Sequence, residues 1–584
     1  GLEQVGRQDN FFELGGHSLL VISVIERLRQ QNIHTDVRSL FSASTLAALA
    51  SRIASQQATP AFIVPPNRIE PHSQAITPQM LPLVELSQAQ IDQIVDSVPQ
   101  GVANIQDIYP LAPLQAGILF HHLLETQGDA YVLRSVLAFE SRARLDSFIG
   151  ALQHVIDRHD ILRSAMRWQG LDQPVQVVYR QAPLHITELD LSAEPDAQEA
   201  LLQQTDPRQL RLDIQRAPLI EAYITPNTAA NIACAPQSGE WLLALLNHHL
   251  VSDHITLELI VEEVQLLLQG QASSLPKPLP YRNFIAQTQA IPVEQHEAYF
   301  REQLGDIEEP SAPFGLLNVQ GDGASIQEAR LLLTEDLAQR IRDSARSQGV
   351  SAAVLFHVAW AQVIAQCCGH DDVVFGTVLS GRLQGSDGAD RVLGMFINTL
   401  PLRITLGQRN AQQVVRETYE RLSELLVHEQ ASLALAQRCS GVNPAVPLFT
   451  ALLNYRHSAP ASEEAGEDAS EDTNTNTKAN AAPASAWQGI RILAGEERTN
   501  YPLSMSVDDL GAGFSLVAHC ATGIAPERMT AYLEKAVEGL VQALQTPPSE
   551  SSQPLRLSSI LPQTERDQLL VEFNDTATEY PQDK

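Results

Sequence analysis

The sequence predicts a small all-α domain joined by a linker to a larger α/β body. Three observations predict it. Residues 1 to about 57 hold amphipathic helical runs and no strand pattern. Residues 58–79 are rich in Pro, Gln and Ser and lack periodicity. From about 80 to 555, helical and strand-like runs alternate. At 584 residues the chain is too long for one hydrophobic core and implies about three to four compact units.

In the small domain, Ser18 to Gln30 places Leu20, Val21, Val24, Ile25 and Leu28 at helical spacing, and Ser44-Thr45 precedes a second helix, Leu46 to Ile53. In the larger body, helices are expected at Gln88–Val98, Leu114–Glu125, Leu145–His159, Ile255–Gln269 and Ala352–Cys367. Strands are expected at Trp241–Leu246, Val373–Val378, Pro401–Ile404 and Phe449–Tyr455. Residues 459–486 are Ala, Ser, Glu, Asp, Asn and Thr with almost no large apolar group, which predicts a disordered surface insertion. Residues 556–584 read as a further connector.

Composition narrows the function classes. The net charge of −30 argues against nucleic acid and anionic membranes as partners, since both need a basic footprint. The five cysteines are scattered, and free thiols in a reducing cytoplasm fit them best. No apolar run reaches the roughly 18 residues of a membrane span. The opening Gly1-Leu2-Glu3 carries neither Met nor an apolar leader, so the expectation is a segment of a longer polypeptide.

Two strings carry the chemistry. The first is Asp9-Asn10-Phe11-Phe12-Glu13-Leu14-Gly15-Gly16-His17-Ser18-Leu19. The glycines permit a tight loop, and the Ser18 hydroxyl opens a helix, where the dipole favours a phosphodiester. By itself Ser18 also reads as a plain N-cap. The second string is Asn247-His248-His249-Leu250-Val251-Ser252-Asp253-His254, at the end of the buried strand Trp241–Leu246. Such a pair can offer one imidazole to a channel as a general base, with Asp253 anchoring the loop to an arginine. A structural histidine pair and metal binding remain open, although the spacing supplies no third metal ligand.

The first string resembles the peptidyl carrier protein of nonribosomal peptide synthetases. That resemblance implies 4'-phosphopantetheine on Ser18, an attachment point and not a nucleophile, and a first helix largely missing upstream. Around the second string, Asp107-Ile108-Tyr109-Pro110-Leu111-Ala112-Pro113-Leu114-Gln115, Arg158-His159-Asp160-Ile161-Leu162-Arg163, Gly394 to Arg403, His428-Glu429-Gln430 and Phe449 to Tyr455 resemble, in order, the motifs of the condensation domain of the same synthetases. The resemblance implies a two-lobed, chloramphenicol-acetyltransferase-like α/β fold with a tunnel between the lobes. It divides the chain into a carrier (1–57), a linker (58–79), an N-lobe (80–275), a C-lobe (276–555) and a C-terminal linker (556–584). It assigns His249 to the reaction centre, as base or positioning group, and gives His248, Asp253, Arg158 and Arg163 supporting roles, with no metal. The family usually has Gly where this chain has His254, which adds a titratable group near the tunnel.

His121-His122-Leu123-Leu124-Glu125-Thr126-Gln127-Gly128-Asp129 reads, taken alone, as a helix end and its turn. It also resembles the signature of dual epimerisation/condensation domains, with His121, His122, Gly128 and Asp129 at the matching positions. The carrier reads Gly-Gly-His-Ser, and Val378 to Leu383 lacks the glutamate of separate epimerases. The implied function is epimerisation of an L-aminoacyl or peptidyl thioester on the upstream carrier, then condensation of the D-product with a downstream L-acceptor. The alternative is a plain condensation domain. Implied partners are the donor arm on the chain's own carrier, a downstream acceptor carrier, adjacent adenylation domains and a phosphopantetheinyl transferase.

Overall fold

A computed structural model describes residues 5–11, 14, 16, 20, 21, 24, 25, 27, 28, 31, 33, 35, 39, 40, 43, 45–55, 63–124, 127–227, 239–317, 326–382, 391–457, 487–496, 501–546 and 553–576. Ser18 and the 459–486 insertion lie outside the described residues. In the N-terminal region Val21, Ile25, Leu40 and Leu49 form a small buried core, with Phe11, Val24 and Ile53 packed against it. The helix Leu46–Ser55 starts at Thr45, whose Oγ1 accepts the Ala48 N–H at 3.2 Å. Leu426, far along the chain, packs on this same core.

The expected linker is anchored over much of its length. Residues 56–62 lie outside the described residues, but Ile69 and Ile76 are buried with Leu81, Val84, Ile91 and Ile94. Arg282 donates to the Pro65 carbonyl. Two buried isoleucines contribute about 1.5–3 kcal/mol each, which fixes a run that its Pro- and Gln-rich composition suggests should be free. The helix that follows, Gln88–Ser97, begins with a capping box formed by Ser87 and Gln90.

Fourteen strands are described: β1 (Ile105–Pro110), β2 (Val132–Phe139), β3 (Ser164–Arg167), β4 (Val175–Tyr179), β5 (His185–Glu188), β6 (Ile220–Pro226), β7 (Trp241–His248), β8 (Ile326–Leu332), β9 (Asp372–Leu379), β10 (Asn398–Thr405), β11 (Ala451–His457), β12 (Ile490–Glu496), β13 (Leu503–Asp509) and β14 (Phe514–Ala521). They form three sheets, ordered β1-β4-β3, β12-β2-β7-β6-β5 and β10-β9-β11-β13-β14-β8. β7 lies centrally in its sheet. Leu243 on one of its faces shares a core with Ile118 and Leu119 of the helix Pro113–Leu124 and with Phe148 and Leu152 of the helix Arg142–Arg158. Leu242 and Ala244 on the other face pack beside Ala197 and Leu201. Burial on both faces is why this strand is a continuous apolar run. The second lobe is built on the six-stranded sheet. Its helix Ala352–Cys368 is buried from Val354 to Ala365, with Trp360 fully enclosed, and the helix Pro526–Gln545 packs beside it.

The two lobes do not correspond to one cut in the sequence. Tyr281, Phe284, Val392, Leu393, Met395, Phe396 and Ile490 belong to the core of the first lobe. β12 adds to the edge of the first sheet by pairing antiparallel with β2. Two segments of the second half, one between β9 and β10 and one ending in β12, are therefore sewn into the first. The packed body also runs past 556: Leu555 and Ile560 are buried in the second core, and Glu565 of the helix Gln563–Leu570 pairs with Arg528. Among the described residues no single helix is long and apolar enough to cross a membrane.

Gly381 starts the first of these crossing segments with φ +66°, and a Cβ there would strike the Phe396 carbonyl. Gly381→Ala should destabilise the chain by at least about 1–3 kcal/mol from backbone strain alone. Gly117 is the control: it lies inside a helix, and an added Cβ would meet nothing within 4 Å. Gly117→Ala should stabilise by roughly 0.5–1 kcal/mol. Thermal unfolding followed by circular dichroism compares the two.

Candidate active site

Asp253 is fully buried and joins the loop after β7 to the second half of the chain. It caps the helix His254–Leu268 by accepting the Thr256 N–H at 2.8 Å. The same carboxylate pairs with Arg382 at 3.1 and 3.2 Å and accepts the Phe396 N–H at 3.2 Å. Arg382 is itself buried. It donates to the Val392 carbonyl at 2.7 Å and lies 3.9 Å from the centre of the Phe396 ring. Thr256 completes the contact through Oγ1, accepting from Gly394 N–H at 2.9 Å and donating to the Gly394 carbonyl at 2.8 Å.

Between β7 and Asp253 the two histidines part company. His248 is fully buried, whereas His249 is half-buried. The Leu250 N–H donates to His248 Nδ1 at 3.0 Å, so the ring proton is on Nε2, which donates to Asp129 Oδ2 at 3.1 Å. Both His248 nitrogens are thus in use. Burial holds this imidazole below its ordinary pKa, against the pull of Asp129. His249 Nδ1 donates to the Ser252 carbonyl at 3.1 Å. That bond leaves the lone pair on Nε2, the arrangement a general base requires. Gln115 steadies the loop from below by donating to the Leu250 carbonyl at 2.6 Å.

The helix Pro113–Leu124 carries His121 and His122 in its last turn, and the chain after it brings Asp129 to His248 of β7. Gly128, just before Asp129, has φ +65°, and a Cβ there would meet the Arg208 backbone. His122 Nδ1 donates to Asp129 Oδ2 at 2.6 Å, and the Tyr131 N–H to Oδ1 at 2.9 Å. Burial raises the Asp129 pKa, but the bonds from His122 and His248 outweigh it and hold the carboxyl well below the usual range. His122, Asp129 and His248 lie close enough together to hold a metal ion, a trio no sequence spacing suggests. Hydrogen bonding fits the trio better: ligation through His248 Nε2 would move the proton to Nδ1, facing the Leu250 N–H.

The other expected site residues lie apart from this loop. Arg158 donates to Glu263 at 3.0 Å and to the Pro276 carbonyl at 2.7 Å. Arg163 donates to Gln106 at 3.0 Å and to the Tyr179 carbonyl. Both brace neighbouring elements. His254, at the start of its helix, is exposed beside Glu258 at 3.5 Å; burial lowers its pKa, but Glu258 outweighs it and the net shift is upward. Sequence reading missed Arg382 as the partner of Asp253, 129 positions away, and the bond from His248 to Asp129. An invariant pairing of Asp253 with Arg382 across homologues would have exposed the first.

Gln115, Gly394 and Phe396, from two of the ordered motifs, meet the loop after β7 or the helix it opens, and comparison with known proteins gives the family. A family model described as "Condensation domain" matches residues 105–570. This chain belongs to the condensation-domain family. Residues 1–53 match a second model, "Phosphopantetheine attachment site", so covalent 4'-phosphopantetheine is the cofactor of the N-terminal domain. Before Ser18, the Gly16 N–H donates to the Phe11 carbonyl at 2.9 Å, and a Cβ at Gly16 would strike Phe11, a close approach that glycine permits. Malpinin synthetase of Mortierella alpina is 44% identical over 584 residues, covering 100% of this chain and 7% of the relative. Malpibaldin synthetase of the same organism is 42% identical over 582 residues, 99% of this chain and 10% of the relative. The condensation chain thus spans a tenth or less of these relatives. The condensation domain from Monacolin K polyketide synthase MokA superposes with a TM-score of 0.55 at 18% identity, over 77% of this chain and 100% of that one. The fold is the two-lobed, chloramphenicol-acetyltransferase-like fold.

Removing one member of a buried ion pair strands the other. Arg382→Ala should therefore cost about 3–5 kcal/mol, read as a lower urea midpoint. Asp129 makes a separate prediction. Its ionised form stabilises the fold above about pH 4, the unfolded carboxylate range, and that contribution is lost as pH falls towards the depressed folded value. Asp129→Asn should lower stability at pH 7 and flatten the acid limb of the stability–pH curve, measured by urea unfolding from pH 7 to 2.

Proposed function

We propose that this chain accepts an aminoacyl or peptidyl thioester on its own carrier, inverts it from L to D, and joins it to the amine of a downstream acceptor. The observation that carries the reading is the His249 imidazole, half-exposed, with Nδ1 tied to the Ser252 carbonyl and Nε2 left with its lone pair. In condensation, Nε2 takes the proton from the acceptor amine as that amine attacks the donor thioester carbonyl. The phosphopantetheine thiol on Ser18 holds the donor as a thioester. His248 and Asp253 hold the loop, and Arg158 and Arg163 brace the walls. The partners are a phosphopantetheinyl transferase, adjacent adenylation domains and a downstream acceptor carrier.

For inversion, the same Nε2 removes the Cα proton of the thioester. Support comes from the dual-domain signature being connected to the reaction loop: His122 and Asp129 bond through to His248, the neighbour of His249. The second reading, condensation without inversion, is favoured by one specific observation. Those same bonds occupy His122, Asp129 and His248, so the signature supports the loop's shape as readily as its chemistry.

His249→Ala should lower peptide-bond formation by about 10²–10⁴-fold while leaving the melting temperature near that of the parent. Phosphopantetheinylated protein loaded with an L-aminoacyl group and held in D₂O should gain deuterium at Cα and give D-product by chiral chromatography. An active, loaded protein that condenses but shows neither exchange nor D-product has the plain condensation function.

A further inference from the structure

The segment that crosses from β9 into the first lobe is held at both of its ends by one short turn. It leaves after Leu379, the last residue of β9, and returns at Asn398, the first residue of β10, which pairs directly opposite Leu379. Asn398 Nδ2 donates to the Glu429 carbonyl at 2.8 Å and to the Ala431 carbonyl at 2.7 Å. Those two bonds flank Gln430. Its Nε2 donates to the Gly381 carbonyl, at the other end of the segment, at 3.0 Å. Gln430 is half-buried and Gly381 is buried.

Glycine populates both signs of φ at little cost, so Gly381, at φ +66°, does not by itself fix the direction of its own carbonyl. The Gln430 amide fixes it. The same rigid peptide carries the Arg382 N–H, so the bond also sets where the Arg382 side chain departs. Arg382 then holds the Asp253 carboxylate at 3.1 and 3.2 Å. His249 lies between two anchors. Its backbone N–H is tied to the Tyr131 carbonyl of the first lobe at 2.9 Å. Its ring is tied through Nδ1 to the carbonyl of Ser252, the residue just before Asp253. The first anchor belongs to the end of the β2–β7 ladder, and the second moves with Asp253.

We propose that Gln430 is a positioning residue for peptide-bond formation: through the Gly381–Arg382 peptide and Asp253 it sets the direction of the His249 ring. This rests on the reading of His249 as the base. Gln430 acts at a distance and touches no reacting atom. The effect of such a residue is steep, because a misplacement of about 1 Å at a reacting group costs about 10²-fold in rate. Methionine at 430 has the length of glutamine and no N–H, so it fills the space without holding the Gly381 carbonyl. Glutamate has the shape of glutamine, and at about pH 7 its carboxylate has no proton to donate.

The test uses the full chain, phosphopantetheinylated and loaded in separate reactions from L- and D-leucyl-coenzyme A. L-leucyl-pantetheine serves as acceptor, and dipeptide is followed by mass spectrometry in single turnovers. Gln430→Met should lower the rate at saturating acceptor by about 10- to 10²-fold. The acceptor concentration giving half the maximal rate should stay within about threefold of the parent. A cycle with His249→Ala decides whether the effect passes through that ring. Once His249 is alanine, adding Gln430→Met should cost about threefold or less. An equal loss in both backgrounds marks a general structural role and overturns the proposal, as does an unchanged rate in Gln430→Met. Gln430→Glu should repeat the loss, and it takes the place of Gln430→Met in the cycle if the latter does not fold. Failure of both variants to fold also overturns the proposal, since Gln430 is then required by the fold itself. If His249→Ala condenses as fast as the parent, the reading of His249 as the base fails, and the proposal falls with it.

Discussion

The buried carboxylate of Asp253 is the constraint on which the rest of the loop after β7 depends. A charge removed from water needs its full set of donors, and this one has them: the Arg382 guanidinium and the backbone N–H groups of Thr256 and Phe396. Those donors come from a helix of the first lobe and from a segment of the second half of the chain. Satisfying one anion therefore places the Asn247–Asp253 loop, the helix after it and the crossing segment 381–397 relative to one another. A hydrophobic pair of the same volume would fill the space without dictating which N–H groups meet there. The pair contributes geometry more than net stability.

Hydrogen bonding also separates the two histidines, which sequence alone presents as equivalent. A backbone donor at His248 Nδ1 and a carboxylate at its Nε2 fix one neutral tautomer with nothing left to offer. A backbone acceptor at His249 Nδ1 fixes the other outcome, a lone pair on Nε2. The family resemblance points to His249, the histidine of the pair whose Nδ1 is tied to a carbonyl. Asp129 holds one ring from each histidine pair, and against the upward pull of burial its two bonds hold the carboxyl below its usual range.

Local pattern made much of this legible. β7 could be read as a buried strand because both its faces are covered, and the helices at 88, 114, 145, 255 and 352 fall within a residue or two of their predicted starts, apart from that at 145, which begins at Arg142. Asp253 could be read as an anchor seeking an arginine. What remained hidden was long-range. Nothing near Asp253 points to Arg382, and nothing in Ile490–Glu496 says that its partner is β2 of the first lobe. Composition also misled at the edges. Ile69 and Ile76 tie down part of a Pro-rich run, and Ile560 extends the packed body beyond the expected boundary at 555, because one or two well-placed apolar residues outweigh many polar ones.

The sewing of β12 onto β2 and of Phe396 into the first core has a bearing on how such chains can be recombined. A chimaera cut near residue 275 does not exchange one whole lobe for another. It asks a foreign strand to complete the first sheet and a foreign phenylalanine, arginine and glycine to fit the native loop. Productive crossovers should fall outside the condensation body, between residue 53, where the match to the phosphopantetheine family ends, and Val64, which already packs on the first lobe. A cut there leaves every described strand with its own partner.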